Sequence, residues 1–253
     1  MSLYMDGRYA EAEAEARAVA EARSVLRLDS YAPLALSVAA LATCAQGRHA
    51  EALAAYDELL PVFGRTFGAE HPQTLKLRSD RAQTLVRLDR YAECEAECAA
   101  VARIADRGAG SLMPLTAGAA RNGLIFALNK QGRHEEAEAL ARETLAAHPA
   151  PTRLTLVLRL GLTRALNGQG RHEEALAEAE RAEALRRKTP DNLSRTETGA
   201  VELAFANALL GLGRTAEART RAMAAHGACR AAFGPEHHRT IEARALLDRI
   251  DST

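Results

Sequence analysis

Along this chain, apolar side chains fall at three- and four-residue intervals in segments of helical length, and short polar turns separate them. Ala137, Leu140, Ala141, Thr144 and Leu145 follow the spacing of one helix face. Glu135, Glu138 and Arg142 take the opposite face and read as solvated. The turn ahead of that helix, Gly132-Arg133-His134-Glu135-Glu136-Ala137, returns as Gly170-Arg171-His172-Glu173-Glu174-Ala175. Weaker copies begin at Gly7, Gly47, Asp89 and Gly213, with spacings of 40, 42, 43, 38 and 43 residues. Valine, isoleucine and threonine are sparse and two-residue alternation is absent, so no segment reads as strand. A chain that repeats one helix–turn–helix unit is an array in which each unit packs mainly on its neighbours.

The turn has a physical logic. Glycine tolerates the left-handed backbone that closes one helix. The second Glu lies in the first turn of the next helix, where the dipole favours negative charge. The closing Ala is small, so the two helices approach closely. The pattern predicts one all-α solenoid over residues 1–253. It is made of a partial unit (1–30), helix pairs over about 31–67, 71–108, 111–148, 151–188 and 192–233, and a capping helix (236–251). The first unit starts in mid-helix at Ser2-Leu3-Tyr4-Met5, and its second helix is expected over Tyr9–Leu26. Ser111 is the expected cap of the helix running toward Gln131, and Pro190-Asp191-Asn192 marks a later connection. Glu242, Asp248 and Arg249 give the last helix the polar face that an array needs at its end.

Composition narrows the function classes. The formal net charge is zero, so no global field draws the chain to nucleic acid or an anionic membrane, and neither is an expected partner. No apolar run approaches the ~20 residues that span a bilayer. Cys44, Cys94, Cys98 and Cys229 are scattered without a C-x-x-C pair, which fits a reducing, cytoplasmic setting. Only three of the 33 basic residues are lysine, and the Ala/Arg-rich composition suggests a GC-rich bacterial genome.

The repeated turn, Gly7-Arg8-Tyr9-Ala10-Glu11-Ala12 above all, resembles that of the tetratricopeptide repeat family, over essentially the whole chain. The period near 42 and the segment His71-Pro72-Gln73-Thr74, echoed at His237-His238-Arg239-Thr240, resemble the kinesin-light-chain-like subgroup. The resemblance implies antiparallel helix pairs stacked into a right-handed superhelix, with the first helix of each pair lining a concave face that holds a peptide or a helix. It implies no cofactor and no reaction. The chain departs from the family where Asp89 replaces the turn glycine, Cys94 the turn alanine, and Arg81 a usual leucine. His49, His134, His172 and Thr215 replace the turn aromatic.

Sharper chemical motifs fall away under their own requirements. Gly211-Leu212-Gly213-Arg214-Thr215-Ala216 matches a dinucleotide fingerprint, but that chemistry needs a preceding strand. His134-Glu135 begins a zinc-protease motif, yet Glu138 stands where the second histidine ligand belongs. Cys94 and Cys98 share a helix face and could hold a soft metal, but they occupy positions that other units fill with alanine and read as core. No metal site and no catalytic constellation is expected. Arg186-Arg187-Lys188 reads as a helix C-terminus complementing its dipole. The runs Glu11–Glu15 and Glu178–Glu180 read as solvated faces.

Counting back from each turn gives the inward positions of the first helices: Lys76, Ser79, Gln83 and Arg87, then Asn122, Phe126, Asn129 and Lys130, then Arg164 and Asn167, then Asn207. Asparagine is a mediocre helix former, so a row of it asks for a reason. Its amide can clamp a peptide backbone as both donor and acceptor. The lysines and arginines would favour an acidic or C-terminal ligand, and Phe126 would add an apolar contact. The expected function is a non-enzymatic peptide- or protein-binding scaffold. The alternative is a ligand-sensing segment of a larger bacterial transcription regulator or signalling ATPase. The incomplete first unit also predicts a homodimer formed through the uncovered stripe of its second helix.

Overall fold

A computed structural model of the chain describes residues 2–25, 31–188 and 197–252. Leu26 and the connection at Pro190-Asp191-Asn192 lie outside the described residues. Every regular element described is a helix: α1 (Ser2–Met5), α2 (Tyr9–Val25), α3 (Tyr31–Ala45), α4 (His49–Thr66), α5 (Pro72–Arg87), α6 (Tyr91–Arg107) and α7 (Met113–Lys130) come first. Then follow α8 (His134–Ala147), α9 (Arg153–Gly168), α10 (His172–Lys188), α11 (Ala200–Gly211), α12 (Thr215–Phe233) and α13 (His238–Asp251). They gather into two compact units, Met1–Ala127 and Leu128–Thr253.

Each turn closes in the same way. Gly132 has φ 74°, its N–H bonds the Asn129 carbonyl, and the Arg133 N–H reaches back to the Leu128 carbonyl. That pattern satisfies the orphan carbonyls of the outgoing helix. Asp89 adopts the left-handed conformation in place of glycine, at φ 56°, and its carboxylate accepts a hydrogen bond from the Tyr91 hydroxyl. The arginine after the turn residue caps the incoming helix without a side-chain bond to its backbone. Its guanidinium instead pairs with the glutamate three residues on. Arg48–Glu51, Arg90–Glu93, Arg133–Glu136, Arg171–Glu174 and Arg214–Glu217 lie at 2.6–2.9 Å, and Arg8–Glu11 makes the same pair. One residue past the glutamate, Ala52, Cys94, Ala137, Ala175 and Ala218 are wholly buried. Small side chains there let the paired helices touch.

The first unit buries Leu53, Leu85, Cys94 and Cys98 in one cluster, and Tyr56, Phe63 and Leu77 in another. The second is organised on Leu156, Val201, Phe205, Ala222 and Ile250. The thiols of Cys94 and Cys98 sit 3.8 Å apart, and Cys98 packs on the bare Cα of Gly123. Arg81, in place of a buried leucine, is accommodated by Asp57 at 2.6 Å. His71 and His237 cap α5 and α13 by accepting from Gln73 and Arg239 N–H groups. α7 starts at Met113, one residue too late for Ser111 to cap it.

The two ends differ from the middle. Twelve residues after the turn residue, the second helices bury Leu59 (6%), Val101, Thr144, Ala182 and Ala225, whereas Val19 on α2 is 42% exposed. On α13, Ile241, Asp248 and Asp251 occupy the positions of Leu75, Ala82 and Leu85 on α5, and all three are exposed. Two carboxylates thus replace the residues that elsewhere hold a second helix.

Three glutamates depart from their sequence reading. Glu13 and Glu138 do not face solvent but reach across to the next turn. Glu13 accepts from Gln46 Nε2 at 2.8 Å and pairs with Arg48 and Arg17. Glu138 accepts from Gln169 Nε2 at 2.8 Å and pairs with Arg171 at 2.6 Å. Burial works to raise both carboxyls, and the amide and guanidinium partners outweigh it, so both sit below the usual carboxylate range. Glu178 is buried between Arg159 and Arg181.

Candidate functional site

The inward positions are best followed unit by unit. In the first unit, α5 presents Lys76, Gln83 and Arg87 on one stripe. Lys76 and Gln83 are exposed and Arg87 half-buried. Lys76 Nζ pairs with Asp80 at 2.5 Å, and burial raises the Asp80 carboxyl in spite of that partner. Ser79 is buried and donates to the Leu75 carbonyl, so it belongs to the helix rather than to the surface. Asn122 and Phe126 are half-buried on α7, and the Arg87 guanidinium lies 5.9 Å from the Phe126 ring centre. The structure therefore brings Arg87 and Phe126 together as a cationic and aromatic pair.

In the second unit, Asn129, Arg164, Asn167 and Asn207 are half-buried and Lys130 is exposed. The asparagines are held by the chain itself. Asn129 Nδ2 donates to the Gly161 carbonyl at 3.1 Å, and its Oδ1 accepts from His134 Nδ1 at 3.1 Å. Asn167 Oδ1 accepts from His172 Nδ1 at the same distance. A carbonyl oxygen only accepts, so both histidines carry their proton on Nδ1. Each ring then rests on a glycine of the following first helix. A Cβ on Gly168 would meet the His134 ring at 2.3 Å, and one on Gly211 would meet His172 at 2.3 Å. Gly211-Leu212-Gly213 is thereby accounted for: the first glycine seats a histidine and the second makes the turn. Cys44 takes the asparagine's place three residues before Gly47, with its Sγ 3.6 Å from His49 Nδ1. Burial and the Arg87 charge hold the His49 imidazole below its ordinary value, and burial raises the Cys44 thiol.

Arg249, which the sequence assigns only to the polar outer face of the last helix, reaches Asn207 on this face. Arg249 on α13 donates to Asn207 Oδ1 at 2.8 Å, while Asn207 Nδ2 donates to the Leu203 carbonyl. Counting back from a turn could not find it, because no turn follows α13 in this sequence. Away from these faces, Glu197 is buried between Arg153 and Arg239 at 2.7 and 2.8 Å, tying the starts of α9, α11 and α13 together. Burial raises its carboxyl and the two guanidinium charges lower it further, leaving it below the usual range. Among the described residues no helix is long and apolar enough to cross a membrane.

The family model of the tetratricopeptide repeat matches residues 31–96 and 115–188, more than half of the chain. The chain belongs to the tetratricopeptide repeat family. No curated protein matches it. Among solved structures it is similar to BtubC (BKLC) from P. vanneervenii, with a TM-score of 0.60 and 17% identity over 94% of each chain. It is also similar to a putative kinesin light chain from Podosopora anserina with nearly identical TPR-like repeats, with a TM-score of 0.53, 19% identity, and 89% and 96% of the two chains covered. Bacillus thuringiensis PlcR, in a complex with the peptide PapR7 and DNA, aligns with a TM-score of 0.64 and 15% identity over 87% of this chain and 74% of its own. At these identities the likenesses establish the fold alone: an all-α solenoid of helical repeats, similar to that of kinesin-light-chain-like proteins.

Proposed function

We propose that this chain is a non-enzymatic scaffold that takes a peptide or partner protein on the exposed faces of its first helices. One observation carries the reading: Asn129 and Asn167 are half-buried amides whose rotamers are set by His134 and His172. An amide fixed before the ligand arrives loses little further freedom on binding, and a peptide backbone can add to its internal bonds because an amide has two donor hydrogens and two acceptor lone pairs. Lys76 and Arg87 in the first unit, and Lys130 and Arg164 in the second, favour an acidic segment or a C-terminal carboxylate, and Phe126 favours an apolar side chain. All four cysteines are free thiols, which suits a reducing compartment such as the cytoplasm.

The test begins with peptides selected from a random display library. Asn129→Ala with Asn167→Ala should weaken the selected peptides at least tenfold. His134→Ala with His172→Ala, which frees the amides but keeps them, should weaken them less. Circular dichroism verifies the fold of each variant, and unchanged affinity in the folded asparagine variant rejects the assignment. A second reading, a peptide-sensing segment of a larger regulator, draws on the fold shared with PlcR. A functional DNA-binding or ATPase segment in the same reading frame would favour it.

A further inference from the structure

Seams run between consecutive second helices, and in three of them the chain sets an arginine of its own against the carboxylates. Arg17 Nη2 on α2 lies 2.9 Å from Glu13 and 3.7 Å from Glu51 on α4. Arg142 Nη2 on α8 lies 2.8 Å from Glu138 and 3.9 Å from Glu174 on α10. Where α4 faces α6, Asp57 takes that arginine's place in the repeat, and Arg81 of α5 meets it at 2.6 Å. The seam between α10 and α12 keeps the carboxylates and lacks the arginine. Glu180 stands at the repeat position of Arg17, Asp57 and Arg142, and Glu217 at that of Glu51 and Glu174. Phe205 stands at that of Arg81, so α11 supplies no cation from below. The two arginines lining the seam are held by other partners. Arg214 holds Glu217 through Nε and Nη2, both at 2.7 Å. Arg221 pairs with Glu183 at 3.1 Å and lies 4.1 Å from the Phe205 ring centre. Glu180 is exposed and has no ion pair among the described residues; Arg214 feels its charge from beyond ion-pair distance. Where the other seams hold their arginine there is a cleft of about 290 Å³, with Leu176, Phe205 and Leu209 in its lining.

We propose that this cleft takes an arginine side chain of a partner protein, with its guanidinium between Glu180 and Glu217, as Arg142 lies between Glu138 and Glu174. Charge complementarity favours that occupant. Glu180 and Glu217 face Arg214 alone, and one added guanidinium restores the balance that Arg142 and Arg171 give Glu138 and Glu174. A planar guanidinium has donors for two carboxylates at once, whereas a lysine ammonium is a strongly hydrated point charge and bridges them less well. The methylene stem of the arginine lies along the leucines of the lining. An acidic side chain is repelled by Glu180. Exposed ion pairs are individually weak, so the cleft anchors one residue within a larger contact.

Amide nitrogen–proton correlation spectra of the full chain test this, with the blocked tripeptide acetyl-Gly-Arg-Gly-amide as the probe. The peptide should shift the amides of Glu180, Glu217 and Thr220. Its citrulline analogue keeps the shape without the charge and should bind about fivefold more weakly. Glu180→Gln should weaken the arginine peptide by a similar factor. Glu180→Arg fills the seam from the chain itself and should abolish the shifts. Glu180 is exposed, and thermal unfolding checks that both variants keep the fold. The absence of shifts at these amides overturns the proposal, as does equal binding of the citrulline peptide or unchanged binding to Glu180→Gln. Free arginine that binds more tightly than the blocked peptide also overturns it, since the site would then serve a small molecule. The substituted residue lies on a second helix, so none of these outcomes bears on peptide binding by the first helices.

Discussion

Gly168→Ala isolates the contact that holds the candidate amides in place. The new methyl would lie 2.3–2.4 Å from three atoms of the His134 ring, more than an ångström inside ordinary contact. The ring must swing out, and it then loses its bond to Asn129 Oδ1. Overpacking of this kind costs about 1–3 kcal/mol and a net hydrogen bond about 1 kcal/mol. Alanine returns up to about 1 kcal/mol over glycine in a helix, less at the last residue of α9. The net loss should be about 1–4 kcal/mol. In a His134→Ala background nothing obstructs the methyl, and the same change should be neutral or stabilising by up to about 1 kcal/mol. The two sites should therefore couple by about 2–4 kcal/mol in a double-mutant cycle. The chain has no tryptophan, so urea unfolding followed by far-ultraviolet circular dichroism is the assay. Gly170→Ala is the control: its φ of 74° makes alanine strained by about 1 kcal/mol with or without His134. An equal cost of Gly168→Ala in both backgrounds would refute the seating of the ring.

Three further outcomes follow from the packing. Gly123→Ala should destabilise the first unit by about 1–3 kcal/mol, because its Cβ would lie 2.7 Å from Cys98 Sγ, and Cys98→Ala should relieve most of that loss in urea unfolding. Glu197→Gln leaves two guanidinium groups facing a neutral amide and should cost about 3 kcal/mol at neutral pH in the same assay. Because the Glu197 carboxyl ionises more readily folded than unfolded, its contribution is complete above the unfolded value of about 4.3 and fades as pH falls through the lower folded value. The stability gap between wild type and Glu197→Gln should therefore narrow in that acid range, and a gap that does not depend on pH would contradict the triad.

The helices and their turns were legible because one signal, a left-handed residue followed by Arg and Glu, recurs in every unit. The candidate face was legible as positions and not as bonds. Asn129 and Asn167 were visible as unusual helix residues, but their partners were not, although the pairing rule is written in the chain. A polar residue three places before the turn accompanies a histidine two places after it, in Cys44 with His49, Asn129 with His134 and Asn167 with His172. Where the later residue is Tyr91 or Thr215, the earlier one is Val86 or Leu210. The clamps of Glu13 and Glu138 carry a similar mark. Each glutamate is followed by a glutamine before the next turn, Gln46 and Gln169, whereas Leu53 and Leu176 are followed by Leu88 and Leu212. Helical periodicity assigns a residue to a face of its own helix. It says nothing of the neighbour some 33 residues on that covers part of that face, and this is why Glu13 and Glu138 read as solvated.

In the proposed function, partners engage the first helix of each pair. A library-selected peptide carrying a photoreactive group, cross-linked and mapped by mass spectrometry, tests it most directly. Cross-links should fall on α5, α7, α9 and α11, near Arg87, Phe126, Asn129, Asn167 and Asn207. Cross-links confined to α4, α6, α8, α10 and α12 would contradict it.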